Sequence, residues 1–594
     1  MKVVFYSPFA NIWDHAFPEA LIAEGLVEQG FEVDVIRCGR MLDRHCVAMS
    51  ASGVSATDSV VKKSQVCAAC IKRRSLLTRE MPFSTTVMDD HVRESDRAEA
   101  QSAVDSADLH SWPDVSVDGV PLGRYAAYEF LLNYKLVGTT IPPELFPLYL
   151  DQLRMTVTVY FASKRMLDEL KPDRVVVFNR LYSVNHAFCA AAEAAGIPTY
   201  TLQGGGHVTR RGETMTMFRG TSSLAEVFGS DGWKSYQARP IGSDEIALVG
   251  EHFSGLLEGS SAFAYSSAFE AADPRALKEQ LGIPEGKPVL LIPMSSEDEI
   301  NAARLADALP PPNGDRSLFD GQFDWIRFLL DYARRNENRH LVIRVHPRMF
   351  PNKRDNVRSP VVDELMQLLD NLPANVTLNM PSDSVSLYDI MQLVDVVLSY
   401  RSSVGIEMAA FGIPVVVPAN ADFFTYPQEI NLVGRSLDDY AKKIDQAISD
   451  GWSIDNARKS FRWFAFLFSR VAVDFSDSVS ARPIAIRPKK PGLLLWLWRK
   501  AVFVFIQFGP LIRERIALRN RRYAVSSQEL FVDVLENNRA SLADSVRWDP
   551  VDSTEKQESA LLSAYLVGVA NTLWKDIDAP GSLADRIRSL SADG

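Results

Sequence analysis

Leu341-Val342-Ile343-Arg344-Val345-His346-Pro347-Arg348 and Val394-Asp395-Val396-Val397-Leu398-Ser399-Tyr400-Arg401-Ser402-Ser403-Val404-Gly405-Ile406-Glu407 are built alike. Each opens with a short run rich in β-branched residues, which suits a strand buried on both faces of a parallel sheet. Each run stops where polar residues begin. In an open α/β sheet ligands bind beyond the carboxyl ends of the strands, so His346, Arg348, Arg401, Ser402 and Ser403 fall where a ligand would lie. After Ser402 the pattern predicts a helix, whose free N–H groups and dipole would join the two hydroxyls in a setting suited to phosphate.

Together with Glu407 and Gly412-Ile413-Pro414-Val415-Val416-Val417, this pairing of His-Pro with Ser-Ser resembles the C-terminal half of GT-B glycosyltransferases. It is most similar to the bacterial capsule and sialic-acid group. The resemblance implies that His346 and Pro347 meet the nucleotide of a CMP-sugar, that Ser402 and Ser403 hold its phosphate, and that Glu407 contacts the ribose hydroxyls. The bland alternative is a strand-turn-helix whose serines only cap. CDP-glycerol polymerases and UDP-sugar epimerases of the same fold carry related patterns, so the nucleotide stays open.

The expected fold is α/β, two Rossmann-like domains (GT-B) with a helical, basic amphipathic C-terminal extension. Lys2–Tyr6, residues 31–36, Arg174–Phe178 and residues 196–202 read as strands of the first domain, with helices over 17–29, 145–170 and 186–195 between them. Residues 1–270 form this acceptor-side domain, with an insertion near 40–120 whose polar stretch from Ser75 to Asp118 shows little periodicity. Residues 271–460 form the nucleotide-sugar domain, 461–485 a crossing helix rich in phenylalanine, and 486–594 a membrane-associating segment and helical tail. In the second domain Ser295 and Ser296 follow a buried strand at the edge of the cleft. Arg344 and Arg348 flank His346, and a planar guanidinium suits a diphosphate or carboxylate.

An inverting transfer needs a base for the acceptor hydroxyl and stabilisation of the leaving phosphate. The serines and arginines cover the second need. For the first, the GT-B resemblance points to the loop after the first strand, with His15 as base and Asp14 as the carboxylate alternative; His207, after three glycines, is a further candidate. The resemblance demands no metal for transfer. Cys38, Cys46, Cys67 and Cys70 form a separate group, read as a structural zinc site, with free thiols and an iron–sulfur cluster as alternatives.

At 594 residues, 46% hydrophobic and 23% charged, the chain has the composition of a multidomain globular protein. Its net charge of -11 argues against a general nucleic-acid binder. From Arg487 to Arg522, however, ten basic residues stand against the single acid Glu514, around an apolar run from Leu493 to Phe508 that carries Trp496 and Trp498. Arg499 and Lys500 interrupt that run, which favours the bilayer interface over a span. The N-terminal apolar run is too short for a signal peptide, and no clean run of ~20 apolar residues is present. The expectation is a cytoplasmic enzyme resting on the anionic inner leaflet, passing sugar from a nucleotide-sugar donor to a lipid-linked or growing surface polysaccharide of capsule or lipopolysaccharide. A UDP-sugar transferase, a CDP-polyol phosphotransferase, an epimerase or a catalytically silent scaffold are the alternatives.

Overall fold

The computed structural model describes residues 1–220, 227, 229–259, 265, 267–309, 317–352, 355–419, 426–476, 511–521, 525–545 and 553–591. The apolar stretch from Leu493 to Phe508, expected to meet the bilayer interface, lies outside the described residues. Thirteen strands are present among them: β1 (Lys2–Tyr6), β2 (Glu32–Arg37), β3 (Ser84–Val87), β4 (Arg174–Phe178), β5 (Thr199–Gly204), β6 (Thr214–Arg219), β7 (Val289–Pro293), β8 (His340–Arg344), β9 (Val376–Asn379), β10 (Val396–Leu398), β11 (Val415–Pro418), β12 (Leu432–Gly434) and β13 (Val473–Asp474). They form two sheets, ordered β13-β6-β5-β4-β1-β2-β3 and β12-β11-β10-β7-β8-β9. The second is parallel throughout; in the first, only β6 and β13 run antiparallel to their neighbours.

The central strands bury their side chains on both faces, Val3 to Tyr6 and Leu290 to Ile292 being wholly inaccessible, because helices cover both sides of each sheet. The protein is thus α/β with two doubly wound sheets, as the GT-B resemblance implies. The helix Ile454–Ser469 makes the return crossing. It starts earlier than expected, at the Ser453 cap whose hydroxyl accepts from Asp455 N, and leads into β13 on the edge of the N-terminal sheet. Its face buries Phe461, Trp463, Phe464, Phe466 and Phe468.

Two stretches set apart by their sequence have defined places in the fold. The stretch from Ser75 to Asp118 is integral to the first domain: it completes the helix Val60–Glu80, supplies edge strand β3 and forms the helix Glu94–Ser106. The small residues Ala100, Ala103 and Val104 let that helix pack on Phe146–Leu170, and Asp96 pairs with Arg165. Residues 525–545 and 553–591 pack on both domains. Glu558, fully buried, pairs with Arg462 and accepts from Ile241 N at 3.1 Å. Gln528 covers the helix Trp13–Glu28 so closely that a Cβ on Gly25 would fall 2.1 Å from its side chain, which explains why that helix is buried nearly all round rather than amphipathic. Among the described residues no helix is long and apolar enough to cross a membrane.

Candidate functional site

In the C-terminal sheet, β7 leads outward to β8 and β9 on one side, while β10 leads to β11 and β12 on the other. The carboxyl ends of β7 and β10 therefore border a crevice at the point where strand order reverses. Into its rim run Ser295 and Ser296 from β7, His346 from β8, and Ser399 to Ser403 from β10. The Ser295 backbone is fixed by Gln322, whose Oε1 accepts from Ser295 N at 2.6 Å and whose Nε2 donates to Ser295 O at 3.2 Å. The Ser295 hydroxyl is buried and has no hydrogen-bond partner among the described residues. That hydroxyl, at the rim of the crevice, is free to bond to a ligand or water.

Arg401 lies across the crevice, its guanidinium 4.5 Å from the centre of the Tyr400 ring and 3.3 Å from the Glu297 carboxylate. Ser402 Oγ accepts from Val404 N at 3.3 Å, and the exposed Ser403 hydroxyl donates to Glu407 at 3.0 Å. Burial raises the Glu407 carboxyl, offset by that hydrogen bond. The helix that follows spans only Val404–Ala409, so its dipole contributes less than the sequence pattern suggests, and the hydroxyls, with Arg401 already paired to Glu297, are the polar groups at this rim.

His346 Nδ1 accepts from Arg348 N at 3.2 Å, and its ring meets the Tyr265 ring edge-on at 5.3 Å. Pro347 opens the short turn Pro347–Met349 behind it. The two flanking arginines both make contacts within the protein. Arg344 donates to Asn379 at 2.5 Å and to Val385 O at 3.1 Å, and burial lowers it to about 10. Arg348 pairs with Asp298 at 2.7 Å and donates to Leu132 O at 2.9 Å, tying the two domains together. Ser296 donates to the same Asp298. Beside this tie the buried Lys135 ammonium pairs with Asp355 and donates to Phe350 O at 3.1 Å.

The N-terminal sheet has its own reversal, between β1 and β4. There the His15 imidazole stacks on Phe178 at 3.9 Å, and burial, with the Arg211 charge nearby, lowers it to about 4. His15 is therefore neutral at pH 7, and its surroundings disfavour the protonated form. Asn179, at the end of β4, holds φ 46°, a left-handed conformation that asparagine tolerates better than most residues. The two other base candidates lie elsewhere. Asp14 is 63% exposed and faces Arg513 at 3.6 Å. His207 is buried, with Nε2 3.1 Å from Leu248 O and Nδ1 3.1 Å from the Thr209 hydroxyl, and packs against Phe468 and His252. The glycines before it serve packing: a Cβ on Gly205 would stand 2.1 Å from Thr214 Oγ1.

Sequence reading missed the groups that link the two crevices. Burial raises the Tyr128 hydroxyl, and Tyr182, Glu299, Glu129 and Arg348 all act on it. Tyr182 in turn feels Glu129 and Arg211. Burial pushes Glu129 up to about 7, although it accepts from Ser183 N at 2.8 Å and from the Ser183 hydroxyl at 2.6 Å. Glu19 is likewise pushed to about 7 by burial, against the opposing charge of Arg37. The only signal in the sequence was the proximity of Tyr128 and Glu129 in one short helix, which says nothing about their distant partners.

Cys38, Cys46, Cys67 and Cys70 do converge, lining one pocket with Phe9 and Leu42. Burial raises all four thiols, Cys46 to about 12. Among the described residues, however, no three His, Cys, Asp or Glu side chains are placed to share an ion. Cys67 and Cys70 lie three residues apart on one helix, and the pocket they line with Cys38 and Cys46 is largely apolar.

No protein-family model and no curated protein matches the chain. Solved structures to which it is similar include UDP-GlcNAc 2-epimerase from Neisseria meningitidis bound to UDP-GlcNAc, at 15% identity, covering 79% of this chain and 97% of that one, with a TM-score of 0.23. UDP-GlcNAc 2-epimerase from Methanocaldococcus jannaschii is 11% identical, covering 78% and 97%, with a TM-score of 0.22. The spinosyn rhamnosyltransferase SpnG is 12% identical, covering 79% and 97%, with a TM-score of 0.24. Likeness at these TM-scores carries no argument about this chain, and its architecture rests on the sheet topology above.

Proposed function

We propose that the chain is a GT-B sugar transferase that takes a nucleotide-activated sugar, with CMP-Kdo or a related CMP-ulosonic acid as the favoured donor. Its acceptor is a lipid-linked or growing surface polysaccharide at the inner face of the membrane, to which the enzyme binds peripherally. The observation that carries this reading is the C-terminal switch-point crevice, where the orphan Ser295 hydroxyl, Arg401, Ser402 and Ser403 gather beside His346. The hydroxyls and guanidinium stabilise the leaving phosphate, and His346 with Pro347 borders the nucleotide. Glu407, beside Ser403, accepts from ribose hydroxyls. From the N-terminal crevice, neutral His15 takes the proton of the acceptor hydroxyl as that oxygen bonds to the anomeric carbon and the bond from that carbon to the phosphate oxygen breaks.

The test is thermal stabilisation of the purified chain by CMP, CDP, UDP and GDP, with His346→Ala alongside. Selective stabilisation by CMP that disappears in the variant is expected. Selective UDP binding would replace the donor by a UDP-sugar, and turnover of that sugar without acceptor would make the protein an epimerase. Selective CDP binding would favour polyol-phosphate transfer. No response to any nucleotide would leave a catalytically silent scaffold.

A further inference from the structure

Of the large apolar side chains that stand most exposed, four fall on two helices: Val60 (77%) and Val61 (67%) on Val60–Glu80, and Ile512 (48%) and Ile516 (52%) on Ile512–Asn520. These helices are far apart in sequence but joined in space by a buried ion pair, Arg73 to Glu514 at 2.7 Å, with both side chains almost inaccessible. On each helix, residues turned away from that ion pair are exposed. On Ile512–Asn520 the outward positions are Ile512, Arg515, Ile516 and Arg519, one stripe at helical spacing. On Val60–Glu80 the exposed positions include Val60, Val61, Gln65, Lys72 and Arg79, the two valines 13 and 12 residues from Arg73 along the helix. Lys72, Arg515 and Arg519 are exposed and have no acid paired to them among the described residues.

We infer that these two helices form a single bilayer-contacting face whose partner is an anionic phospholipid surface. Three observations select that occupant. The face mixes exposed aliphatic side chains with unpaired cations in a chain of net charge -11, a pattern that suits anionic headgroups above an acyl boundary. The segment 477–510, whose sequence carries Trp496 and Trp498 within an apolar basic run, rejoins the described chain at Leu511, where this face begins. A second copy of the chain would set the same cations against each other across a twofold axis, which opposes self-association through this face. The inference rests on the proposed lipid-linked acceptor for its functional sense, and it adds how the cleft is aimed. Arg73 also donates to Asn11, in the loop that leads from β1 to His15, so the face and the N-terminal crevice are fixed to one element.

The test is co-sedimentation of the full chain with vesicles of phosphatidylcholine alone or mixed with phosphatidylglycerol. Binding to the anionic vesicles that weakens with added salt is expected. Val60→Glu with Val61→Glu, and separately Ile512→Glu with Ile516→Glu, should each lower partitioning by about ten-fold or more. All four positions are exposed, so both variants keep their fold, checked by retention of the wild-type melting temperature. Unchanged binding of the first pair would remove Val60–Glu80 from the face and overturn the inference. Equal binding to both vesicle types would overturn it too, as would size-exclusion showing a dimer that the variants abolish. Nucleotide-induced stabilisation is read separately on the same variants, so a failed donor reading and a failed membrane face give different results.

Discussion

The two crevices share a topology and differ in chemistry. Both lie where a parallel sheet reverses strand order, β7 against β10 in one domain and β1 against β4 in the other. The C-terminal one is lined by hydroxyls and a buried guanidinium, held by local loops within a few residues of their strands. The N-terminal one is lined by an imidazole stacked on a phenylalanine, with a tyrosine and an arginine arriving from other parts of the chain. Hydroxyls and guanidinium suit a charge that is present before and after reaction. A desolvated neutral imidazole suits a proton that moves during it. On the proposed reading, binding falls to one domain and proton transfer to the other, a division that variants acting on one side only can break.

The largest effect is expected from His15→Gln, which keeps a polar side chain but cannot take up the proton. Transfer with the donor identified by thermal stabilisation should fall by about 10²–10⁴-fold, while nucleotide-induced stabilisation stays at the wild-type level. Arg401→Ala should do the reverse in order of cause, removing nucleotide stabilisation first. If His15→Gln also abolished nucleotide stabilisation, the division of labour between the crevices would be wrong.

A smaller effect, still measurable, concerns Glu129. Its carboxyl is pushed from 4.5 to about 7 by burial, so the folded protein holds the proton more tightly than the unfolded chain. The resulting stabilisation is complete below about pH 4.5 and is lost as pH rises through 7, about 3 kcal/mol for a shift of that size. Glu129→Gln, which carries no titrating proton, should therefore be less sensitive to pH than wild type between pH 5 and 8, gaining relative stability at the alkaline end. Urea midpoints at the two pH values check this, and a constant offset between the proteins would show that Glu129 does not titrate in this range. Glu19, pushed to about 7 in the same way, remains as a common background in both.

How much of this was legible in the sequence follows from how local each feature is. The strands at 341–345 and 394–398, and the polar residues behind them, could be read because strand, turn and ligand-facing groups are contiguous. His15 could be placed for the same reason, one loop beyond β1. Its partners could not: Phe178 and Arg211 come from β4 and from the β5–β6 connection. Strand β3, Ser84-Thr85-Thr86-Val87, was missed because an edge strand with one partner needs no apolar alternation, and its side chains are half-exposed or exposed. The commitment of Arg348 was hidden because its partners Asp298 and Leu132 lie about 50 and 216 residues away. An arginine beside a ligand motif and an arginine that bolts two domains look the same in one dimension.

The smallest effect is expected next door to the largest. Asp14 precedes His15 in the first turn of the same helix, yet its side chain points to solvent and meets Arg513 at 3.6 Å, whereas His15 turns inward onto Phe178. Successive residues on a helix are about 100° apart, so neighbours in sequence face different surroundings. An exposed pair of this kind contributes ~0–1 kcal/mol, and Asp14→Asn should leave stability within that range and transfer within about two-fold of wild type. Transfer rates of the two variants side by side measure the comparison directly. A loss in Asp14→Asn as deep as in His15→Gln would move the proton acceptor from the imidazole to the carboxylate and require the Arg513 contact to open in the working enzyme. Full activity in Asp14→Asn beside a crippled His15→Gln would leave the imidazole stacked on Phe178 as the group that takes the proton.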